Sequence, residues 1–208
     1  MWIRGCFVRR AQAVENAWAT KDAQLIFAAL DWAKSFDNIA PEGLLDALRQ
    51  FGIPQQMIAI IDYIYGNKKF TVSNLGSVFD VRNQLAGISQ GCPLSPFLFI
   101  ILMTIIMGDA KRKLSQQSCQ LADQIPVHDL LYADDTLLID VYGHNIQKYM
   151  DAVIEIGGQY GLLINWKKVG ILAIKCETAI YDNEGNDVDN KQSINYLKFL
   201  LHKNAKKC

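Results

Sequence analysis

Leu130-Leu131-Tyr132-Ala133-Asp134-Asp135-Thr136-Leu137-Leu138-Ile139 sets two adjacent carboxylates between two strongly apolar runs. Residues 127–132 and 136–141 read as strands, and Ala133-Asp134-Asp135 between them predicts a tight hairpin with two acids at its tip. Aspartate is common in turns, so an ordinary solvated turn is the plain alternative. Ionised acids crowded between apolar strands repel each other and lose hydration, which is costly unless a cation is present. A third acid in a matching position separates the two readings.

Asp31 is that acid. It follows the continuous apolar run 25–30, Leu-Ile-Phe-Ala-Ala-Leu, which reads as a buried strand. Three carboxylates converging from a strand end and a hairpin can hold two Mg²⁺ ions. Hard oxygen ligands suit Mg²⁺, which keeps its other positions for water and substrate phosphates. Two such ions about 3.5–4 Å apart clamp the attacking and leaving oxygens of an in-line phosphoryl transfer. That chemistry depends on positioning and charge neutralisation more than on a protein nucleophile. Asp37 competes with Asp31, but it falls after Ser35-Phe36, outside the strand.

Working outward, residues 10–20 can form a helix. Pro41 can open another that runs to Gly52 with Leu44, Leu45, Leu48 and Phe51 on one face. A third runs over 54–65 and stops at Gly66-Asn67. Residues 69–74 and 77–82 read as a hairpin around Leu75-Gly76. The loop 87–93 leads into a long helix over 94–113. Its apolar part, 97–107, is eleven residues, short of the roughly 20 that span a bilayer, so it reads as a buried core helix. Ile146, Tyr149, Met150, Val153, Ile154 and Tyr160 mark an amphipathic helix weakened by Gly157-Gly158. Short strands at 162–164 and 170–174 flank Lys167-Lys168, and 182–193 is a polar loop. Mixed helix and strand with clear hairpins predicts an α+β fold, not a doubly wound parallel sheet.

The chain has 208 residues, enough for one domain with a sizeable core. Half is apolar and a fifth is charged, which excludes disorder and a disulfide scaffold. Lys plus Arg equals Asp plus Glu at 21 each, so any charge-based contact with nucleic acid must be local. Lys111-Arg112-Lys113 suits the C-terminal dipole of the long helix, and Lys203, Lys206 and Lys207 form a basic tail. Cys6, Cys92, Cys119, Cys176 and Cys208 are odd in number and form no C-x-x-C, which argues for a reducing compartment. Arg4, Arg9 and Arg10 precede no apolar signal region.

Leu30-Asp31-Trp32-Ala33-Lys34-Ser35-Phe36-Asp37, Gly87-Ile88-Ser89-Gln90-Gly91-Cys92-Pro93-Leu94-Ser95-Pro96 and Tyr132-Ala133-Asp134-Asp135 resemble, in order and spacing, three successive motifs of reverse transcriptases. Gly161-Leu162-Leu163-Ile164-Asn165-Trp166-Lys167-Lys168 is similar to the next. The closest types are those of non-LTR retrotransposons and group II intron maturases. The resemblance implies the palm of a right-hand polymerase, with an antiparallel sheet packed on helices, over 25–175. A partial fingers or connecting segment would occupy 1–24. A partial primer grip and the start of a thumb would occupy 176–208, where Asn195-Tyr196-Leu197-Lys198 resembles the primer grip except for Lys198 in place of glycine.

By that resemblance Asp31, Asp134 and Asp135 would bind two Mg²⁺ ions. Phe36 would be the steric gate against a 2′-hydroxyl, with a core aromatic as the alternative. Gln90 and Gly91 would approach template and incoming nucleotide, glycine letting the backbone come close. Lys168 would lie near the leaving pyrophosphate as charge partner or proton donor, with a solvated surface lysine as the alternative. The implied partners are an RNA template, a DNA primer and a deoxynucleoside triphosphate, with no membrane. The implied location is intracellular, nuclear for a eukaryotic mobile element. The residues that usually hold the triphosphate before the first acid are replaced only by Arg9 and Arg10. The chain is therefore expected to be a palm-centred piece of a longer protein and to polymerise poorly alone. Two rivals remain: an RNA-dependent RNA polymerase palm, and a non-catalytic palm remnant that only binds nucleic acid.

Overall fold

The structure, a computed structural model, describes residues 24–66, 68–71, 73–74, 77–78, 80–117, 128–196 and 199–202. In chain order these form β1 (Leu25–Leu30), α1 (Pro41–Phe51), α2 (Gln55–Gly66), β2 (Lys69–Phe70), β3 (Ser73–Asn74), β4 (Ser77–Val78) and β5 (Arg82–Asn83). Then follow α3 (Ser95–Gln117), β6 (His128–Tyr132), β7 (Asp135–Asp140), α4 (Gly143–Gln159), β8 (Gly170–Ile174), β9 (Ser193–Tyr196) and β10 (Phe199–His202). The helix expected over 10–20 and the turn residues Leu75, Gly76, Leu197 and Lys198 lie outside the described residues. The basic tail lies outside them too.

The chain divides into two compact units. Among the described residues, those up to Asp31, those from 128 to Asp151 and those from Ile164 onward belong to the first, and those from Trp32 to Gln117 with Ala152–Leu163 to the second. The first is built on an antiparallel sheet of order β6-β7-β1-β8. β1 is central and buried along nearly its whole length, which is why its sequence is a continuous apolar run. Leu25 and Phe27 of β1, Leu137 and Ile139 of β7, and Leu172 and Ile174 of β8 share one face. Ile194 and Tyr196 of the β9–β10 hairpin cover that face. The Tyr196 hydroxyl donates to the Leu130 carbonyl at 3.0 Å. Each such side chain contributes about 1.5–3 kcal/mol when fully buried, and Phe27, Leu172 and Ile174 are fully inaccessible.

In the second unit Pro41 opens α1 and Gly52 ends it at φ 91°, a left-handed turn that glycine adopts at little cost. Leu44, Ala47 and Leu48 are its buried face. Phe51, expected on that face, is 48% exposed at the last helical position. The expected 69–82 hairpin forms with a slip. Ser73 pairs with Val78 and Asn74 with Ser77, but Lys69 pairs with Asn83 and Phe70 with Arg82. The returning strand therefore carries one extra residue, a bulge.

Three further expectations are corrected. Residues 162–164 form no strand. Only Ile164 is paired: the Leu163 carbonyl accepts from Ala33 N–H at 2.7 Å and Asn165 N–H donates to the Asp31 carbonyl at 2.8 Å, which makes a single isolated bridge and no longer ladder. The apolar run in α3 is not buried all round, since Phe97 is 66% and Ile100 56% exposed one turn apart. Lys111-Arg112-Lys113 does not end α3, which continues to Gln117, so the dipole reading fails. Arg112 pairs with Asp109 and Lys113 with Glu155 instead. No helix among the described residues is long and apolar enough to cross a membrane.

Candidate active site

The β1–β7 register pairs Ile26 with Asp140 and ends at Leu30 with Thr136. One step further it carries Asp31 opposite Asp135. The β1–β8 register ends at Ala29 with Gly170, so two steps further it brings Asp31 towards Lys168. Side chains alternate along a strand, and residues 25, 27, 29 and 31 share a face with 135, 137 and 139. The alternation that sends Phe27 and Leu137 into the core thus puts Asp31 and Asp135 at the rim of the same face. Lys168 Nζ lies 3.3 Å from Asp31 Oδ1. Asp31, Asp135 and Lys168, with Lys167, Lys191, Ser193 and Tyr196, line one cleft of about 450 Å³.

Tyr132 pairs with Asp135, so the hairpin turn is only Ala133-Asp134. Asp135 is the first residue of β7, not part of the tip as the sequence suggested. Ala133 takes φ 52°, a left-handed conformation that costs a non-glycine residue about 1–2 kcal/mol. Such strain concentrates at functional sites. Asp134 sits in the turn and is not among the cleft-lining residues.

The electrostatics tie the acids together. Burial pushes the Asp135 carboxyl above the usual range, the charges of Asp134 and Asp31 push it further, and Lys168 opposes them. One ammonium therefore only partly offsets three carboxylates. An all-oxygen donor set with surplus negative charge fits a hard divalent cation. Among the described residues no group of three His, Cys, Asp or Glu side chains is placed to hold a metal ion.

Phe36, Gln90 and Gly91 belong to the second unit. Phe36 occupies a turn in which Asp37 N–H donates to the Lys34 carbonyl at 2.8 Å. Its ring stacks on Phe99, with centroids 4.6 Å apart and planes 15° from parallel. Its carbonyl accepts from Ile88 N–H at 2.8 Å. Gly87 permits that approach, because a Cβ there would stand 2.6 Å from the Asp37 carbonyl oxygen and 2.7 Å from that of Phe36. Gln90 Nε2 donates to Asp37 Oδ1 at 3.3 Å. Gly91 has φ 86° with open space where a Cβ would be, so backbone conformation, not a crowded neighbour, calls for glycine there.

Sequence reasoning missed Lys191, Ser193 and Tyr196 as cleft residues. Tyr196 lay within the primer-grip resemblance, while Lys191 and Ser193 carried no signal beyond a polar loop.

Residues 4–201 match the family described as "Reverse transcriptase (RNA-dependent DNA polymerase)". The chain belongs to that family. It is 30% identical over 151 residues to the Pol polyprotein of the type-1 retrotransposable element R2 of Nasonia vitripennis, covering 72% of this chain and 14% of that protein. It is 30% identical over 145 residues to the corresponding R2 protein of Bradysia coprophila, covering 70% of this chain and 16% of that one. It is thus a reverse transcriptase domain of the retrotransposon kind and spans about a seventh of these relatives. Apo telomerase from Candida tropicalis, truncated from its C-terminal domain, superposes with TM-score 0.65 at 14% identity, covering 95% of this chain and 38% of that one. Telomerase from Candida albicans in complex with a TWJ fragment of telomeric RNA gives TM-score 0.58 at 14% identity, covering 86% and 30%. At that identity the likeness establishes the fold, a mixed helix and antiparallel-sheet polymerase palm. Reverse transcriptases generally use divalent metal ions.

Proposed function

We propose that this chain is the palm of an RNA-directed DNA polymerase, in which a primer 3′-hydroxyl attacks the α-phosphate of a deoxynucleoside triphosphate and pyrophosphate leaves. The row Asp135, Asp31, Lys168 along the rim of one cleft carries the reading. Asp31, Asp134 and Asp135 would hold two Mg²⁺ ions. When bound, those ions would stabilise charge on the attacking and leaving oxygens. Lys168 serves as charge partner or proton donor for the pyrophosphate. Asp31 keeps that ammonium within reach, and a pair this exposed holds it loosely enough to exchange partners.

Phe36 acts as the gate against a 2′-hydroxyl, braced by Phe99, and Gln90 and Gly91 meet template and nucleotide. RNA as template is supported by the family, whose description is an RNA-dependent DNA polymerase. Residues 25–175 form the palm, and the β9–β10 hairpin belongs to the primer grip.

The test is primer extension on an RNA template with Mg²⁺, using the full-length parent protein and separate dNTP and NTP arms. Wild type should extend with dNTPs, and Asp31→Asn and Asp135→Asn should each lose at least about 10²–10³-fold. Preference for NTPs would move the assignment to an RNA polymerase. Template binding without extension by wild type would leave only a binding module.

A further inference from the structure

We infer that Lys191 is a positioning residue for Lys168, reaching it through a groove that Gly170 keeps open. The kinetic consequence rests on the polymerase reading; the clamp itself does not. The turn carrying Lys168 is held at both ends. At its start, Asn165 N–H donates to the Asp31 carbonyl at 2.8 Å, and Lys168 N–H closes the turn on the Asn165 carbonyl at 2.8 Å. At its end, the Lys191 ammonium donates to the Lys168 carbonyl at 3.5 Å. The residue whose ammonium meets Asp31 is therefore tied through its own backbone to a second lysine.

Lys191 arrives there because its backbone is fixed alongside β8. Its N–H donates to the Ile171 carbonyl at 2.7 Å, and Ile171 N–H donates to the Asp189 carbonyl at 3.3 Å. Asn190 bridges Ile171 in parallel, and its Oδ1 accepts from Ala173 N–H at 3.4 Å. The side chain then crosses Gly170. A Cβ on Gly170 would stand 2.9 Å from Lys191 Cδ, 3.0 Å from its Nζ and 3.2 Å from Ile194 Cγ2. Gly170 is a strand residue outside the left-handed region, so space, not backbone conformation, calls for glycine. An aliphatic side chain would cover the groove equally well. Only a donor caps the Lys168 carbonyl, and only a cation adds charge to the cleft shared with Asp31 and Asp135.

The experiment uses the full-length protein as wild type, Lys191→Met, Lys191→Arg, Gly170→Ala, Lys168→Met and the Lys168→Met/Lys191→Met double variant. Gly170→Ala displaces the far end of a flexible side chain, so it tests the clamp even if Lys191→Met weakens the fold. Amide exchange over 165–169 should quicken about threefold or more in Lys191→Met and Gly170→Ala and return towards wild type in Lys191→Arg. In primer extension kcat should fall about tenfold with dNTP KM within about twofold, the signature of a misplaced group. In the Lys168→Met background Lys191→Met should cost nothing further. Unchanged exchange in both Lys191→Met and Gly170→Ala would overturn the clamp whatever the polymerase does. An additive loss in the Lys168→Met background would overturn positioning and make Lys191 a direct phosphate contact. Faster exchange in a protein whose wild type never extends a primer would uphold the clamp and refute the polymerase reading.

Discussion

Asp31 and Asp135 face each other across adjacent antiparallel strands, one residue beyond the last β1–β7 pair, Leu30 with Thr136. Like charges directly opposite on a sheet are destabilising. Phe27 and Leu137 are packed further along the same strands, so neither strand can slip to separate the acids without turning its core residues outward.

The repulsion should be measurable as stability. Asp135→Asn keeps the side-chain size and removes the charge. In EDTA the variant should be more stable by about 0.2–1 kcal/mol, the range for cross-strand pairs, or about 0.4–4 °C in Tm. Mg²⁺ should raise the Tm of wild type and leave the variant nearly unmoved. A variant that melts lower in EDTA yet still responds to Mg²⁺ would remove the metal assignment.

Phe36 is both gate candidate and packing residue, because its ring stacks on Phe99, which is 1% exposed. Phe36→Val should cost less than about 3 kcal/mol, below the range for a Phe truncated to Ala. In the full-length protein it should raise ribonucleotide use relative to deoxynucleotide use. Phe99→Leu should move selectivity in the same direction by loosening the ring it supports. Equal loss for both nucleotide types in both variants would mark the pair as core alone.

Ala133 offers a test of strain at the hairpin. Its φ of 52° favours glycine. Ala133→Gly relieves about 1–2 kcal/mol of left-handed strain and returns about 0.4–1 kcal/mol to unfolded-chain entropy. The melting temperature should therefore rise slightly or hold. Ala133→Val should lower it, since a β-branched residue tolerates positive φ worst. Equal melting of all three proteins would show that the turn is not strained.

Strands and hairpins were legible because their patterns are local. The run 25–30 marks a central strand, and the apolar runs around Ala133-Asp134 mark a hairpin whatever surrounds them. What escaped depends on which residues actually pair, most of them with partners distant in sequence. That Asp135 belongs to β7 follows from its pairing with Tyr132. That 162–164 is not a full strand follows from its pairing, which stops at the one bridge made by the bonds to Ala33 and Asp31. Lys191 gains its position from β8 and from the absence of a side chain at Gly170, neither of which a polar loop reveals. Phe97 and Ile100 read as core because an apolar run does not record which of its faces finds a neighbour.

Cys92 should be the more reactive of the two thiols among the described residues, Cys92 and Cys176. The Tyr65 hydroxyl donates to its sulfur at 3.3 Å, and this bond first, then the Leu94 backbone, lowers its pKa from the ordinary thiol value. A lowered pKa enlarges the thiolate fraction at neutral pH, and the advantage fades as pH rises through the usual thiol range. Labelling by a disulfide reagent, read site by site by mass spectrometry, should favour Cys92 most near pH 7. Tyr65→Phe should slow it. A Cys92 rate that tracks Cys176 at every pH would remove the Tyr65 effect.

The adjacent glycines of α4 should respond to alanine with opposite signs. Both are poor helix residues, and the sequence treats them alike as a weak point. A Cβ on Gly157 would stand 2.7 and 2.8 Å from Trp32 ring carbons, whereas a Cβ on Gly158 would meet nothing within 4 Å. Trp32 is 3% exposed, and its rigid ring has no free end to swing aside. Gly157→Ala should therefore destabilise by about 1–3 kcal/mol, the usual range for overpacking. Gly158→Ala lies on the exposed side and should stabilise by about 0.5–1 kcal/mol through helix propensity alone. Urea denaturation of the two single variants separates the effects, with m unchanged if only stability moves. Trp32 directly follows Asp31, so Gly157→Ala should also reduce primer extension in the full-length protein, while Gly158→Ala should not. Stabilisation by both alanines would show that Trp32 can yield, and that Gly157 is no more than a weak point in the helix.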